Sequence, residues 1–527
     1  MFNKCHKCGQ ELKCQDEYAS LKAGYWWSWR NKTRKDRYRI FINNLLSPLP
    51  ALGEDDVQFP YPLPKPYKCA EKESCKGGVD STCTDGYKGP LCRVCREGYY
   101  QQVHQCKKCP SKTWITGQLL INSAILIIII AVCLWTQRQN KIKRKFSTVD
   151  SFLSKIKIAI GFYQVTHCLM EAFAYIKWPE SMQLISKYSE ILQLNVLKIA
   201  PVHCLFPGLR PDAFSDLFAI VAINAAFIVF AAIVYGARKV MILRDGRLEC
   251  DRKSRKISQF KETVYRNLFF FLYVTYLSTC SKTATVLPLS CLELCQDEEE
   301  EFCVEYLKAD YSIQCHNPLY NKMVIVAYIS TSYIILLPTA TFVALWRNQR
   351  VLLATGDSTR SEDNCSNPAM IKGLHFFYKN YKSRSWYWEL VEMSRKVIIT
   401  SGLSLVGQES RSYIGLSWVV AGIYGILFSW IRPIQNAIEN RLMTASLAVT
   451  VFNLGVGAVS KIPAENLPTS TDQYVEKEIL DILVIGANTL VIGLLACKIM
   501  TCRSTNDRPS HLVGRKWPQK IFQCFKI

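Results

Sequence analysis

The amino-acid sequence predicts an all-α polytopic membrane bundle of about nine transmembrane helices, preceded by a small disulfide-rich ectodomain. Three observations predict it: long apolar runs, an uneven distribution of Lys and Arg between the connections, and cysteines crowded into residues 1–113 and the predicted outer loops. Of 527 residues, 49% are hydrophobic and 20% charged, which excludes an intrinsically disordered chain.

A bilayer-crossing helix needs about 20 mostly apolar residues. The first candidate is Trp114–Trp135, with a tryptophan at each end, as interfacial belts favour. Lys157–Trp178 follows and is amphipathic. Leu217–Tyr235, Leu268–Leu287 and Met323–Trp346 are strongly apolar, and Pro338 is expected to kink the last of them, as membranes tolerate. Trp386–Val406 is weaker, since its purely apolar part is Val397–Val406. Tyr413–Ile431, Leu442–Val459 and Ile479–Cys497 complete the set. Runs of this length are rare in soluble cores.

Nine spans put the two termini on opposite sides. With the N-terminus outside, the inner connections and tail hold 35 Lys and Arg, and the outer loops hold 8. Cytoplasmic connections are enriched in these residues, so the charge predicts a multi-pass plasma-membrane protein with an extracellular N-terminus and a cytoplasmic C-terminus. Losing the sixth span would invert all that follows and place the basic tail outside. Residues 1–113 then form the ectodomain, 114–500 the bundle and 501–527 a basic cytoplasmic tail.

The cysteines agree independently. Ten lie in 1–113, and Cys204, Cys291, Cys295, Cys303 and Cys315 lie in predicted outer loops. An oxidising exterior produces that distribution. The densest stretch, about 83–109, holds Cys83, Cys92, Cys95, Cys106 and Cys109, with Gly86, Gly89 and Gly98 suited to tight turns. Its paired Cys-x-x-Cys spacings fit a four-cysteine zinc site as well as a disulfide module of epidermal-growth-factor or laminin type. The extracellular location favours disulfides, so the cysteines are structural candidates and no metal or cofactor is expected. Asn31-Lys-Thr33 is a glycosylation acceptor outside, whereas Asn364-Cys-Ser366 is expected inside and bare. The first residues have neither a basic n-region nor an apolar h-region. The chain opens inside a cysteine-rich stretch, which suggests the C-terminal part of a longer product.

Charged groups at membrane depth need a partner or a task. The second helix carries Lys157, Gly161, Gln164, His167 and Glu171 at three- or four-residue steps on one face. Such a stripe serves either as a polar conduit for ions or protons, or as an interhelical hydrogen-bonding seam. The sixth opens with Trp386, Tyr387 and Trp388, placed for the inner interface, then carries Glu389, Glu392, Arg395 and Lys396. Glu392 and Lys396 stand in the favourable i,i+4 order. This is either a gating element or an ion-pair cluster that lets a short apolar helix insert. The loop 289–321 has eight acidic residues and one lysine. Its run Asp297–Glu301 serves either to gather cations at a pore mouth or as a solvated turn.

No phosphate loop, serine-hydrolase elbow, zinc-protease helix or kinase set is present, which points away from an enzyme. No potassium-channel filter or voltage-sensor repeat appears. The formal net charge is +22. The basic residues spread over inner loops, which suits anionic lipid rather than nucleic acid. Cys502 is a palmitoylation candidate beside the last span.

Several phrases together carry a resemblance: Cys83-Thr-Asp-Gly-Tyr-Lys-Gly-Pro-Leu-Cys92, Gly161-Phe-Tyr-Gln-Val165 with Trp178-Pro179, Tyr306-Leu-Lys-Ala-Asp310-Tyr-Ser-Ile-Gln-Cys315, Trp386-Tyr-Trp-Glu389 and Arg395-Lys396. Over roughly 80–500 the chain resembles a family of invertebrate and protist surface proteins. In these, epidermal-growth-factor-like or ephrin-receptor-like modules precede a membrane region akin to the C-terminal domain of transient-receptor-potential proteins. The resemblance implies that Cys315 pairs with Cys295 or Cys303, with Cys291 as an extra thiol. The expected function is a surface receptor, sensor or adhesion protein that binds an extracellular ligand or ion through its ectodomain. The alternative is a cation channel or transporter. The bilayer is the expected partner, and homo-oligomerisation is open.

Overall fold

The structure is a computed structural model. It describes residues 8–9, 11–15, 18–46, 59–69, 71–102, 105–121, 124, 146–173, 176, 178–189, 202–206, 212–245, 250–296, 302–349, 368–402, 411–460, 481–491 and 493–494.

The N-terminal region is a chain of short antiparallel hairpins with one helix against them. β1 (Leu12–Gln15) pairs with β2 (Tyr18–Leu21), and β3 (Tyr25–Trp26) with β4 (Tyr67–Lys68). Helix α1 (Lys32–Leu46) starts at Asn31, whose Oδ1 accepts from the Arg34 amide at 2.8 Å. This is a normal N-cap, and it leaves the Asn31 side-chain nitrogen free of the cap. The helix buries Tyr38 and Phe41 against Phe59 and Trp29. The Tyr38 hydroxyl donates to the Ala19 carbonyl at 2.7 Å and accepts from the Ala19 amide at 3.0 Å. Burial pushes this phenol up to about 12.

Three further hairpins follow: β5 (Cys75–Gly77) with β6 (Thr82–Cys83), β7 (Tyr87–Lys88) with β8 (Val94–Cys95), and β9 (Tyr99–Gln102) with β10 (Gln105–Lys108). Hairpins this short cannot hold themselves in water, and disulfides lock them. The bonds are Cys8–Cys14, Cys69–Cys75, Cys83–Cys92 and Cys95–Cys106. Both Cys-x-x-Cys pairs are therefore split between different bonds, and the zinc arrangement is absent. Gly86 has φ +93°, and a Cβ there would lie 2.7 Å from the Tyr99 ring. Only glycine fits this turn.

Helix α2 (112–121) leads toward the bundle, and the remainder of the expected first span lies outside the described residues. The next helices are α3 (Phe146–Ala172), α4 (Glu180–Ser189), α5 (Ala213–Arg244) and α6 (Cys250–Val286). A three-stranded antiparallel sheet follows, β11 (Cys291–Cys295), β12 (Cys303–Leu307) and β13 (Asp310–Gln314). Then come α7 (Pro318–Arg347), α8 (Trp388–Val397) continued by a π-turn over Ile398–Gly402, α9 (Arg411–Ile431), α10 (Ala437–Ser460) and α11 (Asp481–Val491).

Among the described residues, four helices are long and apolar enough to cross a membrane: Ala213–Arg244, Pro318–Arg347, Tyr413–Ile431 and Ala437–Val459. The first three leave most of their apolar surface uncovered, as with Phe230 at 62%, Ile426 at 72% and Trp430 at 82% exposed. Water does not tolerate contiguous surface of that kind, and lipid does. This is a helical membrane protein with a disulfide-rich N-terminal region. α3 and α6, with 27 and 37 residues, are long but interrupted by charged and polar residues, and α11 is an apolar helix of only 11 described residues.

Several expectations need correction. The second segment is placed too late: α3 is described from Phe146 to Ala172, so it includes residues before Lys157 and ends six residues before Trp178. Trp386 and Trp388 are only 8% and 5% exposed, so they pack in the core. Cys315 bonds to Cys291, while Cys295 bonds to Cys303. The sheet decides this, since β11 and β12 set Cys295 opposite Cys303 in register. Cys109 bonds to Cys204, 95 residues away. α7 runs through Pro338. A proline deprives the carbonyl four residues earlier of its partner, and the Tyr276 hydroxyl donates to that Ile334 carbonyl at 3.0 Å. Asn364, Cys502 and the acidic run Asp297–Glu301 lie outside the described residues.

Candidate functional site

Two clusters of buried charge sit along α3, and α6 contributes to both. At the first, the Lys157 ammonium is ion-paired with Glu389 Oε2 and faces the Tyr273 ring at 5.1 Å. The Tyr381 hydroxyl donates to the same oxygen at 2.8 Å, and the Tyr273 hydroxyl donates to Oε1 at 2.5 Å. Glu389, 1% exposed, thus draws partners from three parts of the chain. One helical turn on, the Arg395 guanidinium grips both oxygens of Glu392, at 2.9 and 2.6 Å. Lys396 stands 3.6 Å from Glu392. The i,i+3 arginine, rather than the i,i+4 lysine, is therefore the principal partner. Its planar fork matches a carboxylate bidentately, where a lysine offers a point charge. Tyr424 of α9 lies under the Arg395 guanidinium at 5.0 Å, and its hydroxyl accepts from Trp388 Nε1 at 3.1 Å.

The second cluster is 14 residues along α3, about 21 Å at 1.5 Å per residue. Here the Lys282 ammonium of α6 donates to Glu171 at 2.9 Å and stands 3.8 Å from Asp216 of α5. His167 is 2% exposed. Its Nδ1 is 2.9 Å from the Ser186 hydroxyl of α4, and its Nε2 is 3.6 Å from Glu171. Between the clusters, the Gln164 amide donates to the Val274 carbonyl at 3.0 Å. Asn224 of α5 donates to Thr279 at 3.0 Å, and Thr283 is 2.7 Å from the Ser330 hydroxyl of α7.

Every charged or hydrogen-bonding residue of the α3 stripe thus meets another helix or an interhelical turn, so the stripe is a seam of interhelical polar contacts. Lys282, Asp216 and the tyrosines are the partners that sequence reasoning missed. Lys282 carried a signal, because it is a lone cation inside the apolar stretch Leu268–Leu287. The tyrosines carried none, since an apolar body hides the polar tip.

The N-terminal region is seated on the sheet that follows α6. The Cys295 amide donates to the Tyr67 hydroxyl at 2.6 Å, and the Lys65 amide to the Gln296 carbonyl at 3.2 Å. The Arg30 guanidinium lies 3.1 Å from the Phe302 ring centre. Leu91 packs with Leu294 and Tyr311 in a shared core, and the Cys109–Cys204 bond adds a covalent tie. Only the turn Pro288–Ser290 with its flanking leucine separates the end of α6 from β11.

No family model, curated protein or solved structure matches the chain.

Proposed function

We propose that the protein is a multi-pass plasma-membrane receptor or sensor. Its cysteine-rich ectodomain binds an extracellular ligand and passes the event to the bundle through α6. One observation carries this reading: the sheet that seats the ectodomain runs almost directly into α6, which contributes to both charge clusters. A shift of the seat therefore bears on Lys282 and Tyr273 without an intervening flexible segment. The resemblance to surface proteins with epidermal-growth-factor-like modules supports the same assignment, as does the exterior orientation expected from the charge asymmetry.

The test loosens the seat in the full chain in lipid nanodiscs. Tyr67→Phe combined with Leu91→Ala is expected to raise hydrogen exchange in 276–296 as well as in 1–113. A rise confined to 1–113 contradicts the coupling. The alternative, a cation channel or transporter, draws on the acidic loop and the α3 stripe. It is favoured over the receptor reading if Glu171→Gln changes a current recorded from cells expressing the chain.

A further inference from the structure

We infer that the cavity at the first charge cluster binds one small inorganic anion of halide size. The cavity measures about 30 Å³ and is lined by the charged groups Lys157, Glu389, Glu392, Arg395 and Lys396. That volume exceeds the roughly 10–15 Å³ that one water requires. Three cations face two carboxylates, so one positive charge is in excess. An uncompensated charge at such depth is costly.

The hydrogen bonds divide unevenly in the same sense. Glu389 is satisfied by two tyrosine hydroxyls and Lys157, and Glu392 by the bidentate arginine. The surplus lies with the donors. Arg395 Nη1 is buried and has no hydrogen-bond partner among the described residues. The Lys396 ammonium, 3.6 Å from its carboxylate, is beyond hydrogen-bond distance. Gly161 makes room for it, since a Cβ there would lie 2.7 Å from Lys396 Nζ. Excess positive charge, unused N–H groups and a cavity of single-ion size together select an anion and reject a cation. The site does not depend on the receptor reading.

The experiment measures the thermal midpoint of the full chain in nanodiscs while chloride replaces gluconate at constant ionic strength. Gluconate is too large for the cavity. The midpoint is expected to rise by several degrees and saturate, as mass action requires for a ligand of the folded state. Bromide is expected to act in the same way. Lys396→Met balances the cluster and is expected to abolish the saturable rise. Chlorine NMR on the unaltered protein is expected to show line broadening that bromide reverses over the same concentration range. This second measurement decides the matter if Lys396→Met does not fold. Identical midpoints in chloride and gluconate overturn the site, as does an undiminished chloride response in Lys396→Met. Line broadening that bromide leaves untouched also overturns it, and the cavity then holds water alone.

Discussion

Asp80 is held by the forked Arg39 side chain, and Lys35 lies 3.3 Å from the same carboxylate. The Arg39 partner keeps the Asp80 carboxyl below the usual carboxylate range. Such a group adds stability above its unfolded value, about 3.9. That contribution is lost as pH falls through the lower folded value. Asp80→Asn is therefore expected to lower the denaturant midpoint of the N-terminal region slightly at pH 7. The difference from the unaltered protein is expected to close in acid. A difference that persists at low pH contradicts the ion pair's role.

Gly457 tests packing rather than charge. A Cβ there would lie 2.5 Å from the Trp178 ring and 2.7 Å from Ile414, both buried. Gly457→Ala is expected to cost about 1–3 kcal/mol, the usual range for overpacking, as read by thermal unfolding. Gly422→Ala meets nothing within 4 Å and is expected to be neutral or mildly stabilising, because alanine favours the helix.

At the scale of elements, the sequence showed which helices carry polar residues but not what those residues touch. The α3 stripe is legible because its spacing follows the helical period. Its partners are scattered from residue 186 to residue 389, and nothing local links them. Element ends were less legible: α3 ends at Ala172, short of the expected Trp178, and the π-turn after α8 has no sequence signature. The disulfide connectivity of the 291–315 loop depends on strand register, which cysteine spacing does not encode. Glu389→Gln leaves Lys157 facing a neutral amide. Breaking a buried pair from one side costs about 3–5 kcal/mol, so this variant is expected to lose stability on that scale in nanodiscs. A loss near zero would show that the pair is solvated and the seam is not buried.

At the scale of the molecule, two kinds of solvent shape one chain. The N-terminal hairpins are too short to persist in water without their disulfides, whereas α5, α7 and α9 present apolar faces that suit lipid. The polar seam along α3 is the inside of that arrangement, placed where helices cover it. The apolar runs and the cysteine distribution made this organisation readable, since both are summed over many residues and tolerate local error. The span count was less readable, because charged and polar residues interrupt α3 and α6, and segments 1, 2, 6 and 9 include residues outside the described ones.

The most direct test of the whole arrangement is labelling of single introduced cysteines with a membrane-impermeant maleimide. Ala309→Cys, in the turn between β12 and β13, is expected to react on intact cells. Ser254→Cys, near the start of α6, is expected to react only after permeabilisation. The reverse pattern, or equal labelling of both positions on intact cells, contradicts an exterior N-terminal region joined through α6 to a bundle within the bilayer.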